Sequence, residues 1–292
     1  MLVSSSPYVT GPSTYKISDA EFQQLREFIY AHTGIALSDH KRALVYARLG
    51  RRLRHHGLES FADYYELLTE RDMDGHELVE MINCITTNKT DFFREPHHFK
   101  FLSERVFPDI HARGVGGGRR IRLWSAGTAT GEEAYTLAIT VREAFPLTEA
   151  WDIRILATDI DTRVLAHAER GEYTDEQAER VPQSLLQRYF FQGEGPNAGH
   201  VQVKPRLKEI VRFRRLNLMD DPWPMQGLFD VIFCRNVIIY FDRNTQRRLI
   251  ERFTRMLRPG GYLMLGHSES LVDGGGALRH MSQSVYQCVG KT

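Results

Sequence analysis

Two stretches of this sequence put carboxylates where a nucleoside would need them. Leu123-Trp124-Ser125-Ala126-Gly127-Thr128-Ala129-Thr130-Gly131-Glu132-Glu133 runs from an apolar strand through small residues into a helix. Small residues let a ligand approach the backbone closely. A tight strand–helix turn explains the same glycines, and the spacing is not the G-x-G-x-x-G of a dinucleotide site. Ala157-Thr158-Asp159-Ile160-Asp161 ends the next strand. A carboxylate there can accept both hydroxyls of a ribose, or it can cap the helix that follows. Asp161 is assigned to the cap and Asp159 to the ribose. No Lys-Ser or Lys-Thr follows a Gly-rich run, so there is no phosphate loop. Glu132 and Glu133 lie where a dinucleotide fold would set its pyrophosphate, and acid repels phosphate. A ligand with an ammonium group suits them better. Ribose and amine without phosphate favour S-adenosylmethionine.

The elements that would hold these residues are legible in outline. Of 292 residues, 42% are hydrophobic and 26% charged, enough for a substantial core in a chain long enough for two domains. Residues 1–14 are rich in Ser, Thr, Pro and Gly and read as a mobile tail, with no secretory signal. Residues 15–90 read as an all-helical domain. Ser18 and Glu21 form a capping box, Phe22, Leu25, Phe28 and Ile29 a stripe, and further helices fall near 39–55, 59–70 and 74–85, parted by Gly34, Gly57 and Gly75. From 91 the texture changes. A helix near 96–112 is followed by a Gly-rich loop at 114–118. Strands are expected at 121–125, 153–158, 211–216, 229–234 and 262–266, and helices at 132–145, 162–170 and 245–257. Asp242 caps the last helix, and Arg258-Pro259-Gly260-Gly261 stops it and turns the chain. A hairpin at 278–289 closes the series. Strands alternating with helices imply an α/β domain over 91–292, a mostly parallel Rossmann-like sheet that binds ligands at its strand tips. About forty residues, 171–210, interrupt the alternation and read as an inserted antiparallel β-subdomain.

The remaining signals mostly exclude. Lys plus Arg is 38 against 37 for Asp plus Glu, which gives no global case for nucleic acid. Three cysteines, Cys84, Cys234 and Cys288, without a C-x-x-C, fit a reducing cytoplasm and neither a disulfide scaffold nor structural zinc. No apolar run would span a bilayer. His97, His98 and His267 are not spaced as a metal set, and no metal is expected. Lys41, Arg42, Arg48, Arg51, Arg52 and Arg54 occupy one helical stretch without an acid. Arg48, Arg51 and Arg52 share a face, either a solvated surface or a dock for an acidic partner.

The chain resembles the CheR family of chemotaxis methyltransferases over nearly all of residues 15–290. The resemblance rests on Thr86-Thr87-Asn88-Lys89-Thr90-Asp91-Phe92-Phe93-Arg94-Glu95, Thr130-Gly131-Glu132-Glu133, Ala157-Thr158-Asp159-Ile160-Asp161, Phe233-Cys234-Arg235-Asn236-Val237-Ile238-Ile239-Tyr240-Phe241 and Gly266-His267-Ser268-Glu269-Ser270, in order. It implies an S-adenosylmethionine-dependent methyltransferase that esterifies glutamates of methyl-accepting chemoreceptors and releases S-adenosylhomocysteine. It further implies that Asn88, Thr90, Arg94, Glu133, Asp159, Asn217, Leu218, Arg235 and Asn236 surround the cofactor. Glu133 would lie by the methionyl amine, though Glu132 stays open; Asp159 would hold the ribose, and Asn217 and Leu218 would sit by the adenine. Arg94 and Tyr240 would lie near the sulfur and are the expected catalytic residues.

A carboxylate acceptor is already ionised at neutral pH, so in-line transfer needs no general base. The resemblance also implies docking to receptor helices. Gly193-Glu194-Gly195 resembles the version found in family members that bind a receptor's C-terminal pentapeptide, with Val201-Gln202-Val203 as a candidate sheet edge. Two other readings compete: a methyltransferase for another substrate, and a cofactor-sensing module without catalysis. Amine-methylating base enzymes carry Asn or Asp before Pro-Pro-aromatic after the fourth strand, where this chain has Cys234-Arg235-Asn236-Val237.

Overall fold

A computed structural model describes residues 15–271 and 276–290. The expected tail at 1–14 lies outside the described residues. The chain divides into two compact units: residues to Ile29 with Leu37–Ile85, and Tyr30–Ala36 with Thr86 onward.

The first unit is helical. It holds α1 (Asp19–Thr33, whose last turn belongs to the second unit), α2 (Arg42–His56), α3 (Phe61–Glu66) and α4 (His76–Ile85). Ser18 and Glu21 bond reciprocally before α1, Glu21 Oε2 accepting from Ser18 N at 2.8 Å and Ser18 Oγ from Glu21 N at 3.2 Å. Gly57 ends α2 in the left-handed conformation at φ 64°. Leu25, Ile29, Leu49, Leu53, Phe61 and Met81 are fully buried at the helical spacing of their elements.

One buried charge ties α2 to α4. The Glu77 carboxylate accepts from Arg52 Nε (2.8 Å) and Tyr64 Oη (2.6 Å), and His56 Nε2 lies 2.8 Å from it. Burial pushes this carboxyl up, but the bonds from Arg52, Tyr64 and His56 outweigh it and leave it below the ordinary value. Arg52 is thus an internal cation, not a free docking charge. Arg42 is likewise engaged by Asp19 and the Ile17 carbonyl, and Arg48 by the Ile85 carbonyl. Lys41, Arg51 and Arg54 are exposed.

The second unit opens with α5 (Pro96–Phe101), a π-turn and α6 (Phe107–Gly117). The Gly-rich stretch read as a loop is thus largely helical. Gly114 is there for packing, since a Cβ would lie 2.3 Å from Trp151. Then come β1 (Arg120–Ala126), α7 (Glu132–Ala144), β2 (Asp152–Asp159) and α8 (Thr162–Arg170). The insertion supplies β3 (Glu172–Thr174), α9 (Gln183–Tyr189), β4 (Phe190–Gln192), β5 (His200–Val203) and the single turn α10 (Pro205–Lys208). The chain then resumes with β6 (Val211–Arg215), β7 (Phe229–Cys234), α11 (Arg243–Met256), β8 (Leu257–Leu265) and the pair β9 (Leu278–Ser282) and β10 (Val285–Cys288).

The main sheet runs β6-β2-β1-β7-β8-β10-β9, parallel from β6 to β8 and antiparallel at β10 and β9. Its faces bury alternate residues. Leu123, Val231 and Phe233 enter one core with α7, whereas Trp124, Ile232 and Cys234 enter another with Leu249 and Phe253 of α11. Trp124 anchors the second core against Trp223, Phe229 and Phe253, and its indole N–H donates to Thr158 Oγ1 at 2.9 Å.

Two details depart from the sequence reading. Arg258–Gly261 is not a turn before a strand: β8 begins at Leu257, directly after α11, and a register shift between Phe229 and Val231 absorbs the Pro-Gly-Gly stretch. The small sheet has the order β3-β5-β4, so Val201-Gln202-Val203 is its central strand, with Gln202 paired to both Glu172 and Phe191. Its edges are β3 and β4, and Val201–Val203 offers no free edge for a peptide.

Arg52→Ala should destabilise the protein by about 3 kcal/mol, because it strands a buried carboxylate. A urea melt read by circular dichroism checks this, with Arg51→Ala expected to be near neutral.

Candidate active site

Four adjacent parallel strands, β6, β2, β1 and β7, end where the candidate residues begin. In a parallel strand the last carbonyls and the next loop's amides lack ladder partners, so the tips must find other donors and acceptors. Gly127 N and Thr128 N both donate to the Thr158 carbonyl, at 2.8 and 2.9 Å. Gly127 has φ 81°, and a Cβ on it would lie 2.3 Å from Val237. Ala129 N donates to Asp159 Oδ2 (2.9 Å) and Asp161 N to Asp159 Oδ1 (3.0 Å). Burial raises the Asp159 carboxyl to about 6 even though these amides oppose the shift.

Asp161 caps α8, its Oδ1 accepting from Arg163 N (2.9 Å) and Val164 N (3.3 Å). Its other oxygen does something the sequence did not reveal. Oδ2 accepts from Thr86 Oγ1 (2.8 Å) and Asn88 Nδ2 (2.6 Å), fastening the start of the 86–95 segment to the tip of β2. Further fixings follow along that segment. Asp91 faces Arg180 at 3.4 Å, Phe92 is fully buried edge-on to Tyr173 and Phe190, and Phe93 N donates to Thr136 Oγ1 at 3.2 Å. Phe93 and Glu95 both take positive φ, 52° and 54°, a conformation that only fixed surroundings sustain. Arg94 sits between them, its Nη1 donating to the Lys89 carbonyl at 3.0 Å. Thr90 lies on the same segment, half-buried.

Glu133 occupies the first turn of α7 and is buried. Ser125 Oγ donates to its Oε1 at 2.7 Å, and Arg235 Nε lies 3.0 Å from Oε2. Burial pushes this carboxyl up, and the charges of Arg235 and Arg94 pull the other way. Glu132 is also buried and pushed up by burial; it accepts from Thr130 Oγ1 at 2.6 Å. Arg235 is packed over the rings of Phe99 and Phe233, each 5.5 Å away. Its Nη1 lies 3.2 Å from His98 Nδ1, and His98 Nε2 lies 3.3 Å from the Gln283 carbonyl. Burial and the Arg235 charge lower His98 to about 3. The ring is therefore neutral, accepting from Arg235 and donating to Gln283.

Asn236 follows at φ 59°, its N–H donating to Glu269. Tyr240 is half-buried on a 3₁₀ turn, and its carbonyl accepts from Ala36 N at 2.8 Å. Asn217 uses its amide to bond the His32 carbonyl (2.6 Å) and Met219 N (3.0 Å), while Leu218 is buried.

The structure thus gathers Glu133, Asp159, Asn217, Leu218, Arg235 and Asn236 at neighbouring strand ends, with Arg94 near enough for its charge to act on Glu133. Ser125, His98 and Glu269 were given no role by sequence reasoning. Glu269 belongs to the Gly266–Ser270 motif, and the spacing of His98 carries no trace of its contact with Arg235. Glu95, His97 and His98 do bring possible ligand atoms within 4.8 Å of one another. The Arg235 guanidinium beside His98 opposes a cation there, and the His98 acceptor nitrogen is already engaged.

The family model described as "CheR methyltransferase, SAM binding domain" matches residues 88–287, and "CheR methyltransferase, all-alpha domain" matches 20–86. The chain belongs to the CheR methyltransferase family. It is 43% identical over 286 residues to chemotaxis protein methyltransferase 2 of Pseudomonas aeruginosa, covering 98% of this chain and 99% of that one. It is 46% identical to the chemotaxis protein methyltransferase of Klebsiella aerogenes (87% and 84% covered) and 44% identical to that of Escherichia coli (87% and 85%).

S-adenosylmethionine is the cofactor of this CheR-family protein, and the strand tips fit it. Buried Glu132 and Glu133 stand at the start of α7, where a pyrophosphate would lie, and the buried Arg235 guanidinium is paired with Glu133. Among the described residues, no helix is long and apolar enough to cross a membrane.

Asp161→Ala removes a helix cap and the anchor of the 86–95 segment together. It should lower stability by about 2–3 kcal/mol and speed amide exchange at 86–91, as read by hydrogen–deuterium exchange.

Proposed function

We propose that this protein transfers the methyl group of S-adenosylmethionine to side-chain carboxylates of glutamates on chemoreceptors, in the cytoplasm. The observation that carries the reading is likeness along nearly the whole length of both chains to a chemotaxis protein methyltransferase.

When bound, S-adenosylmethionine supplies an electrophilic methyl on a cationic sulfur. Glu133 faces the amine of the donor, held in place by Ser125 and Arg235. Asp159 accepts from the ribose, and Asn217 and Leu218 flank the adenine. Asn88, Thr90, Arg235 and Asn236 complete the enclosure; the Asn88 amide nitrogen already serves Asp161, so its oxygen is the atom left for a ligand. Arg94 holds the incoming carboxylate by a charge-assisted pair of hydrogen bonds, and Tyr240 orients it toward the methyl. An ionised carboxylate needs no base, so these groups act by placing charge and excluding water.

Docking engages the exposed Lys41, Arg51 and Arg54 with acidic receptor helices. A receptor tail peptide can add to the small sheet only at β3 or β4. Beside β4 lies Gly193-Glu194-Gly195, and Phe191 on that strand is 52% exposed.

The test incubates the protein with radiolabelled methyl donor and a receptor cytoplasmic fragment. Glutamyl methyl esters release labelled methanol in alkali, so alkali-labile label on glutamate is expected. Alkali-stable label would mean a different acceptor, and no label with retained donor binding would favour a sensing module.

Arg94→Ala should lower the transfer rate at least 100-fold with the circular dichroism spectrum unchanged; near-normal transfer removes Arg94 from the reaction. Asp159 must be ionised to accept both ribose hydroxyls fully. With its pKa raised to about 6, affinity for S-adenosylhomocysteine should hold at neutral pH and fall as pH drops through about 6. A pH-independent affinity from 5 to 7.5 would contradict that role.

A further inference from the structure

Glu269 lies in the loop after β8 and is 5% exposed, yet no partner cation bonds it among the described residues. Its charge is met by backbone amides. Oε2 accepts from Gly266 N at 2.6 Å and from Asn236 N at 2.8 Å, and Oε1 accepts from Ile239 N at 3.2 Å. The loop that carries Glu269 is itself closed, Glu269 N donating to the Gly266 carbonyl at 2.8 Å and Ser284 Oγ to the Glu269 carbonyl at 3.4 Å.

Two of the three amide donors belong to a different loop, the one leaving β7. That loop carries Arg235, Asn236 and Tyr240, and it has little regular structure of its own. Asn236 is at φ 59°, in the left-handed region that asparagine tolerates best among residues with a side chain. Beyond it, one 3₁₀ turn, Ile238–Tyr240, leads to Phe241. The buried carboxylate spans the loop, holding it at 236 and again at 239. Gly266 is part of the same fit, since a Cβ there would lie 2.6 Å from Asn236 Nδ2 and 2.8 Å from Glu269 Oε2.

We infer that Glu269 is a positioning residue for methyl transfer: its buried carboxylate clamps the loop after β7 so that Asn236 and Tyr240 are held at fixed places around donor and acceptor. This rests on the methyltransferase reading above and adds to it a part for the Gly266-His267-Ser268-Glu269-Ser270 motif. A carboxylate suits the task because both oxygens only accept. An amide in its place would turn an N–H toward an N–H at one of the two anchor points. Alignment errors of an ångström at a reacting pair cost about 100-fold in rate, so the clamp should be felt mostly in turnover.

The test compares wild type, Glu269→Gln, Glu269→Asp, Tyr240→Phe and the Glu269→Gln/Tyr240→Phe double variant. S-adenosylhomocysteine binding counts competent sites, and rates are expressed per site. Glu269→Gln is expected to lose tenfold or more in kcat while donor KM changes less than about threefold. Glu269→Asp, which keeps the charge but shortens the reach, is expected to fall between Glu269→Gln and wild type. Because Glu269 acts partly through Tyr240, the double variant should be no more than about twofold slower than the slower single variant.

Turnover within twofold of wild type in Glu269→Gln would overturn the assignment. So would fully multiplicative losses in the double variant, or failure of both position-269 variants to fold, either of which would leave Glu269 a purely structural group. If wild type itself neither binds S-adenosylhomocysteine nor transfers methyl, the methyltransferase reading falls first and this inference with it. A working wild type with an unaffected Glu269→Gln sinks only the inference.

Discussion

Carboxylates buried at strand tips are the constraint around which the catalytic unit is built. Each is costly to take out of water unless hydrogen-bonded or paired, and each is compensated differently. Asp159 draws on the amides of Ala129 and Asp161, and Asp161 on a helix N-terminus and two side chains of the 86–95 segment. Glu133 is met by Arg235 and Ser125, and Glu269 by three amides from two loops. For each acid at least one of these contacts crosses from one segment to another. The acids therefore do two things at once: they give the cleft its sign, and they fasten together the loops that line it.

That double use explains the chemistry the cleft suits. A nucleotide phosphate would meet Glu132 and Glu133 at the start of α7, where phosphate-binding folds present bare amides. A nucleoside with an amine and a cationic sulfur meets opposite charge there. Arg94, set between two left-handed residues and bonded to the Lys89 carbonyl, is placed before any acceptor arrives. Preplacement of this kind lowers the reorganisation a transition state must pass through.

What the sequence revealed and what it hid divide along a physical line. Local signals were sufficient for α8, where Asp161 caps one end and left-handed Gly171 closes the other, and for β7, which is buried on both faces and apolar but for Asp230. The cap assignment for Asp161 likewise came from its position at a strand–helix junction. Hidden features depended on partners distant in sequence. Arg52 looked like a surface cation because its acid, Glu77, lies 25 residues on. Val201–Val203 alternates like an edge strand, and only its pairing with both β3 and β4 makes it central. Gly114 looked like a loop residue because a glycine kept small for Trp151 reads the same as one kept for a turn. The work of Glu269 was invisible since backbone amides leave no trace in side-chain spacing.

The most direct measurement is a calorimetric titration of the whole protein with S-adenosylhomocysteine, run beside ADP under the same conditions. Saturable one-to-one binding of the thioether nucleoside and no detectable heat from ADP are expected of an acidic, phosphate-excluding cleft. ADP binding as tightly as S-adenosylhomocysteine, or neither binding to folded protein, would contradict it.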